Sequence, residues 1–321
     1  MRLAVIDASA QGYNLRPLTH DEMPTAFLAL GESRTLLQRA VDRLGDVIPS
    51  ENIWVLVEHR LRAKARTDLK PGIHIIDSDG GFFTALSQVV SNSGAQKNEA
   101  TTILIESATH MVKNDRRFRQ CLIAGFEKAE LTGQAVAFAT EYEKLGLPIA
   151  GFQCWPLDQL SARLKSSDLR SMNWVSHLLA STEDKMQVAS LADVGWVTVD
   201  DWESVKHLLD YVEKPWGHER LWALNRNYAG KILFIKAGES LSLQYHEVKD
   251  ETIRIVSGRM RFLAGPSIDR LETHILEPGM SYEISPCVIH QMEAIEDCTV
   301  IEVSTPHLTD VIRLEDRYGR T

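Results

Sequence analysis

Nowhere in the 321 residues does an apolar run approach the roughly eighteen that a membrane-spanning helix needs. The opening stretch MRLAVIDASA has one arginine and an apolar segment too short for a secretory signal, and it reads as a first buried strand. Cysteine is scarce. Cys121, Cys154, Cys287 and Cys298 stand far apart, which supports neither a disulfide framework nor a CxxC zinc site. Positive charge is in deficit too: a net charge of −9 argues against nucleic acid as a partner, while leaving room for a local basic pocket that takes one phosphate. Internal repeats and low-complexity tracts are missing, apart from a polar loop, SNSGAQKNEA, at 91–100. The expectation is a cytoplasmic protein with reduced thiols. Its 44% hydrophobic and 25% charged residues are the balance of a globular chain, long enough for two domains.

From residue 1 to about 210, short apolar runs (RLAVID, NIWVLV, TTILIE, AVAFAT) alternate with helical patterns (SRTLLQRAVDRL, FFTALSQVV, DRRFRQCLIAGFEKA). Such alternation predicts an α/β domain with a largely parallel sheet and helices on both faces. From about 230 the runs are short, strand-like and separated by glycine and proline: KILFIKAG, SLSLQYH, TIRIVSG, RMRFLAG, LETHILEPG, SYEISP, TVIEVST. That spacing predicts a small β-sandwich or barrel. The boundary falls in VEKPWGHERLWALNRNYAG, giving domains of 1–211 and 212–321.

Residues 238–258 read GESLSLQYHEVKDETIRIVSG. Side chains alternate across a strand, so Ser240, Ser242, Gln244 and His246 share one face and Leu241, Leu243 and Tyr245 the other. A core strand would carry Val, Ile or Leu on the first face; this one carries groups that can ligate a metal. The glycines have a structural reading of their own, since a tight turn favours positive φ with or without a metal, and a lone barrel histidine is often a hydrogen-bonded core residue. The joint spacing of Gly238, Gln244, His246, Glu251 and Gly258, with Gly279, Pro286 and His290 in PGMSYEISPCVIHQMEA, resembles the two motifs of the cupin superfamily, with glutamine in place of the usual first histidine. The resemblance implies a cupin β-barrel in which Gln244, His246, Glu251 and His290 hold a divalent ion. Two neutral imidazoles, one amide oxygen and one carboxylate leave that ion a net charge near +1 and open positions, which suits Lewis-acid chemistry. Zinc is the first expectation, and manganese, cobalt and iron also accept mixed N/O ligands.

VEKPWGHERLWA, IKAGESLSLQYH, KDETIRIVSG and VIRLEDRYGR are similar to the isomerase domain of type II mannose-6-phosphate isomerases, over about residues 212–321. The chain departs from that family at Glu247 and Val248, where further histidines are common, and at Val288, where glycine is common. The resemblance implies interconversion of mannose 6-phosphate and fructose 6-phosphate: a metal polarises C1 and C2 oxygens, a base moves a proton, and a cation binds the phosphate. Lys236 and Arg313 are the candidate cations; Arg313 matches the family's terminal arginine and suits either the phosphate or an enediolate. Glu283 and Glu293 are the candidate bases. Trp216 and Gly217 read as a packing anchor and a turn. The implied partner is a small-molecule sugar phosphate. A non-catalytic module that binds a sugar phosphate or nucleotide sugar is the alternative.

VIDASAQGYNLRPLTHDEMPTAFLALGESRTLLQRAVDRL resembles the opening of sugar-1-phosphate nucleotidyltransferases, a Rossmann-like α/β fold whose pattern runs GGxGTRLxPLS, PKxFLPL, LLQRTVxRL. The frame is kept and the charged positions are not. Ser9 and Ala10 stand for two glycines of the phosphate loop, Asn14 for its arginine, and Thr25 for the lysine of PKxF. Thr109 in IESATHMV and Thr198 in GWVTVDDWESV stand where the family has its two metal-binding aspartates. Threonine hydroxyls do not replace carboxylates in holding the ion that neutralises a triphosphate. The expectation is a domain that no longer transfers nucleotides and serves as a scaffold or homodimerisation unit, with Gly12 and Arg16 as its remaining candidates for ligand contact.

Overall fold

The computed structural model describes residues 1–30, 34–93, 101–139, 149–165, 187–191 and 193–320; most of the polar loop expected at 91–100 falls outside them. The chain forms two compact units. One comprises Met1–Gln11, Pro24–Phe27 and Leu36–Val199, the other Gly12–Met23, Leu28–Thr35 and Asp200–Thr321. Among the described residues no helix is long and apolar enough to cross a membrane.

The first unit is α/β. Its strands are β1 (Arg2–Asp7), β2 (Ile53–Val57), β3 (His74–Asp77), β4 (Thr102–Ser107), β5 (His110–Val112), β6 (Val136–Ala139), β7 (Ile149–Pro156), β8 (Gln187–Ser190) and β9 (Trp196–Thr198). Its helices are α1 (Leu36–Leu44), α2 (Arg62–Asp68), α3 (Phe82–Asn92), α4 (Asp115–Thr132) and α5 (Leu157–Lys165). The seven-stranded sheet has the order β3-β2-β1-β4-β7-β6-β8, parallel from β3 to β4, with β7 antiparallel to both its neighbours. Both faces are covered, as apolar runs without alternation require. Leu3, Val5, Ile103 and Ile105 pack with Phe83, Leu86 and Leu160 of α3 and α5. On the other face Phe118 of α4 meets Phe152 of β7, and Arg43 of α1 pairs with Glu106 of β4 at 3.2 Å. Helix α4 starts on an Asn114 cap that accepts from the N–H of Arg117 and stops at Gly133, in the left-handed region at φ 64°.

The second unit is almost all β, entered through α6 (Trp202–Leu209), which Asp201 starts with a capping box. Its strands are β10 (Val212–Lys214), β11 (Gly217–Leu224), β12 (Ala229–Ile235), β13 (Leu243–Tyr245), β14 (Glu251–Ser257), β15 (Met260–Gly265), β16 (Glu272–Leu276), β17 (Ser281–Ile284), β18 (Ile289–Ala294), β19 (Cys298–Ser304) and β20 (Ile312–Glu315). They form two antiparallel sheets, β10-β11-β12-β19-β14-β17 and β16-β15-β18-β13-β20. The stretch 212–230, read in the sequence as a boundary, forms the hairpin partners β10 and β11; the Pro215–Trp216–Gly217 turn signal masked the pairing. The strand expected across SLSLQYH is shorter than its alternation suggests: β13 covers Leu243–Tyr245, while Ser240 makes an isolated bridge to Glu293.

Inward-facing residues are graded along the strands. β14 offers Glu251, then Ile253 and Ile255; β18 offers His290, then Met292 and Ala294; β12 offers Lys231, then Leu233 and Ile235. β19, running the other way, offers Cys298 and Val300 and then Glu302. The apolar ends join Phe262 and Ile284 in the core, and the polar ends gather at one mouth.

The framing glycines differ in what surrounds them. Gly238 and Gly258 have φ of 78° and 79°, but a Cβ on Gly238 would meet nothing, whereas on Gly258 it would lie 2.1 Å from the Asp297 carbonyl oxygen. Gly238→Ala is expected to cost about 1 kcal/mol, the conformational term alone, and Gly258→Ala about 2–4 kcal/mol because backbone must also move. Thermal melts of the two variants against the wild-type chain check the difference.

Candidate metal centre

Three strands supply the centre because each places a polar residue at its inner, mouth-facing end. Gln244 of β13 lies directly opposite His290 of β18, His246 follows at the end of β13, and Glu251 opens β14. His246, Glu251 and His290 are all buried. Glu251 Oε1 stands 3.5 Å from His246 Nε2 and 3.4 Å from His290 Nε2. Each imidazole turns its Nδ1 to a backbone carbonyl, His246 to Asp310 and His290 to Val288 at 3.0 Å, so Nδ1–H donates and Nε2 keeps its lone pair. Both Nε2 atoms are buried without a hydrogen-bond partner. Four-coordinate ligand atoms about 2.1 Å from a divalent ion sit roughly 3.4 Å from one another. Two orphaned lone pairs, each at that spacing from one carboxylate oxygen and all three atoms within 4.8 Å of one another, fit a divalent cation. Among the described residues no other trio of His, Cys, Asp or Glu is close enough to hold one.

Residues around the trio fix its orientation. Lys249 is buried, and its ammonium donates to Glu251 Oε2 and, at 2.8 Å, to Glu302 Oε1. Glu251 therefore gives one oxygen to the lysine and turns the other toward the imidazoles. Burial alone would raise its pKa, but the Lys249 charge and the two histidines hold it well below the usual carboxylate range. For Lys249 the balance runs the same way: desolvation opposes the ammonium, and the two carboxylates raise its pKa above the ordinary lysine value. Burial lowers the His290 pKa against the opposing pull of Glu251, which favours the neutral, ligating ring. Asp310 anchors the turn between ligands. Its carboxylate accepts from the N–H groups of Glu247 at 3.0 Å, Val248 at 2.7 Å and Lys249 at 2.7 Å, while its carbonyl takes His246 Nδ1. Burial pushes the Asp310 pKa up, and those three donors outweigh it, leaving a net depression.

Next to the trio a cavity of about 400 Å³ is lined by Gln244, His246, Glu251, Lys249, Glu302 and Arg313, among others. The Gln244 Oε1 accepts from Ser242 Oγ at 2.7 Å. Arg313 of β20 sits in register with Gln244, and its pKa is lowered by burial and by Arg320. Of the residues singled out in the sequence, the fold thus brings together Gln244, His246, Glu251, His290 and Arg313. It does not bring Lys236, Glu283 or Glu293. Lys236 is exposed just past β12, on the strand face opposite Leu233 and Ile235. Glu283 alternates with buried Ile284 and faces out, and Glu293 pairs with Arg261 at 3.0 Å on the outer surface. Lys249, Glu302 and Asp310 were not foreseen. Lys249 was visible as the one cation between His246 and Glu251; nothing marks Asp310, sixty-four residues from its partner His246.

In the first unit Ser9, Thr25, Thr109 and Thr198, four of the positions that matched a phosphate- and metal-binding site, carry hydroxyls. Asp7 accepts from the N–H and Oγ of Ser9 at 3.0 and 2.6 Å. Thr25 and Thr109 are buried, and the Thr109 hydroxyl is bonded to Ser107 Oγ at 2.9 Å. Thr198 lies opposite His110 in the β5–β9 pair, and the next N–H, of Val199, donates to the Thr109 carbonyl at 2.9 Å. The two threonines are thus neighbours in space. Arg16, in the Gly12–Met23 segment of the second unit, is paired with Asp21.

Residues 201–316 match the family described as "Mannose-6-phosphate isomerase C-terminal". The chain is 26% identical over 165 residues to mannose-1-phosphate guanylyltransferase RfbM of Salmonella typhimurium, covering 45% of this chain and 32% of that protein. It therefore spans about a third of the length of that relative. A crystal structure described as mannose-1-phosphate geranyltransferase from Thermus thermophilus superposes with a TM-score of 0.51 at 19% identity, over 67% of this chain and 80% of that one. The chain joins an N-terminal nucleotidyltransferase-like α/β region to a C-terminal cupin-like all-β domain of the mannose-6-phosphate isomerase type.

Because the Asp310 pKa is depressed in the folded protein, its stabilising contribution is present above the ordinary carboxylate pKa and is lost as pH falls through the folded value. Asp310→Asn is expected to flatten the acid limb of the stability–pH curve and, by loosening His246, to weaken metal binding about 10- to 100-fold. Melts between pH 3 and 7 and a chelator competition measure the two effects.

Proposed function

We propose that the chain is a metal-dependent aldose–ketose isomerase that interconverts mannose 6-phosphate and fructose 6-phosphate. The observation that carries the reading is the pair of orphaned Nε2 atoms beside the Glu251 carboxylate, in the segment that matches the isomerase family, with His246 and Glu251 lining a cavity rich in charged side chains. Gln244, His246, Glu251 and His290 would hold the ion, with zinc the expected metal, and once bound it supplies Lewis-acid polarisation of the substrate's carbonyl. Arg313, in register with Gln244, brings a permanent positive charge to the same wall, where it suits the oxyanion that forms as a proton moves between C1 and C2. Lys249 is committed to two carboxylates and keeps Glu251 ionised. Glu283 and Glu293 face away from the cavity, so neither is assigned as the base.

The nucleotidyltransferase-like region is read as catalytically inactive. Thr25, Thr109 and Thr198 occupy the places where the resemblance calls for one cation and two metal-binding carboxylates, and no nearby trio replaces them among the described residues. A cytoplasmic location belongs to the same reading.

Purified protein, stripped with chelator and resupplied with Zn²⁺, Mn²⁺ or Co²⁺, is expected to interconvert the two hexose phosphates. His246→Ala should fall to the level of the stripped protein, and no pyrophosphate should appear with GTP and mannose 1-phosphate. A folded, metal-loaded protein that turns over neither sugar would overturn the isomerase reading in favour of a binding module.

A further inference from the structure

An antiparallel strand with water on one side alternates apolar with polar residues, whereas a strand that is apolar on both sides is ordinarily covered on both. β12 and β19 carry apolar residues outward as well as inward. Leu233, Ile235 and Val300 point into the barrel core, while Ile232 and Phe234 on β12 and Ile301 and Val303 on β19 point away from it. Ile232 lies directly opposite Ile301 in the register, so the four outward residues form one patch. Trp222 of β11 extends it on one side, its indole lying over Gly230, where a Cβ would come within 2.5 Å of the ring. Val256 of β14 extends it on the other. Trp222, Val256 and Val303 are nevertheless 50%, 49% and 45% exposed. A contiguous apolar face of this kind marks an interaction surface.

The face has the size and the rim charges of a contact with its own kind. Its five strands, β11, β12, β19, β14 and β17, spaced about 4.8 Å apart and about seven residues long, make a surface roughly 24 Å square. A plan of about 570 Å², increased by the relief of the side chains, is of the order of the 800 Å² per partner in a standard interface. Opposite charges flank it. Arg220 stands outward on β11, 3.7 Å from Asp210, and Glu283 stands outward on β17, in register with Thr252 of β14. We infer that this face is the contact between two copies of the chain, packed sheet to sheet about a two-fold axis running along β19. That axis sets β19 on β19, β12 on β14, and the β11 margin with its Arg220 over the β17 margin with its Glu283, so opposite charges meet at both rims. A second copy fits because one face supplies both the cation and the anion, and because a net charge of −9 disfavours an anionic membrane or polyanion in its place. Self-association, expected from the sequence in the α/β unit, is thus assigned to the β unit. The inference does not rest on the isomerase reading.

Sedimentation velocity of the full-length protein between about 0.5 and 50 μM tests it. The wild-type chain is expected to run as a dimer, at twice 36.1 kDa, over the upper part of that range. Val303→Glu and Ile301→Lys should each weaken the dimer about 100-fold or more, because the contact would then bury a charge at its centre in both copies. Thr273→Glu, on the outer face of the other sheet, should leave it dimeric. Arg220→Glu and Glu283→Arg should each weaken association about tenfold by opposing like charges, and the double variant should recover the wild-type association. Thermal melts establish that the variants are folded, and the rim pair decides the matter if a central variant is not. A wild-type chain that stays monomeric at the top of the range would overturn the proposal. So would a dimer that survives both central substitutions, which would put the contact on another surface, and a double variant no better than its singles would overturn the axis along β19.

Discussion

Three successive backbone N–H groups, of Glu247, Val248 and Lys249, converge on the carboxylate of Asp310, and the arrangement of the candidate metal centre depends on that convergence. A turn between two strands would ordinarily leave these donors to water. Here a single side chain satisfies them and fixes the path from His246 to Glu251. The carbonyl of the same residue orients His246 by accepting from Nδ1, so one residue sets both the turn and the ligand's tautomer. Such an anchor has to be an acceptor several times over, which a carboxylate is and an amide is less well.

From that turn the charges run inward in alternation. Glu251 faces the imidazoles with one oxygen and Lys249 with the other; Lys249 in turn reaches Glu302 on β19. Lys231 is the cross-strand neighbour of Glu302, and Glu219 lies between Lys231 and Lys214. Each buried charge stands beside an opposite one, the condition under which desolvation is tolerable. The row occupies only the mouth-facing ends of the strands. One residue pair further along, the inward positions become Ile253, Met292, Leu233 and Val300, and the interior turns into a close-packed apolar core. Rigidity at one end and charged chemistry at the other thus come from the same strands, read in successive inward positions.

The first unit shows the opposite outcome of the same economy. Its sheet, helix caps and buried Arg43–Glu106 pair preserve a fold whose core is covered on both faces. Where the resemblance calls for carboxylates, Thr109 and Thr198 sit as neighbours and their surroundings are satisfied by backbone and hydroxyl contacts. Threonine packs in nearly the space of aspartate, so the fold keeps its core with hydroxyls at these positions.

The sequence by itself determined the two-part architecture, since strand–helix alternation and closely spaced strands are local patterns. Alternation and the resemblance to the cupin motifs also pointed to Gln244, His246, Glu251 and His290, of which the fold brings the two histidines and Glu251 within reach of one ion. Pairing hid the rest. A hairpin that begins in Pro215–Trp216–Gly217 looks like a linker until Lys214 and Gly217 are seen in register. The direction of Lys236, Glu283 and Glu293 depends on a phase of alternation that one residue reverses, so only the folded strands decided that they face outward. Asp310 and Glu302 reach the centre from the far end of the chain, and Lys214, Glu219 and Lys231 meet across three strands. Sequence separation carries no signal for such contacts, because what joins them is the register of antiparallel strands, a property of the sheet and not of any segment within it.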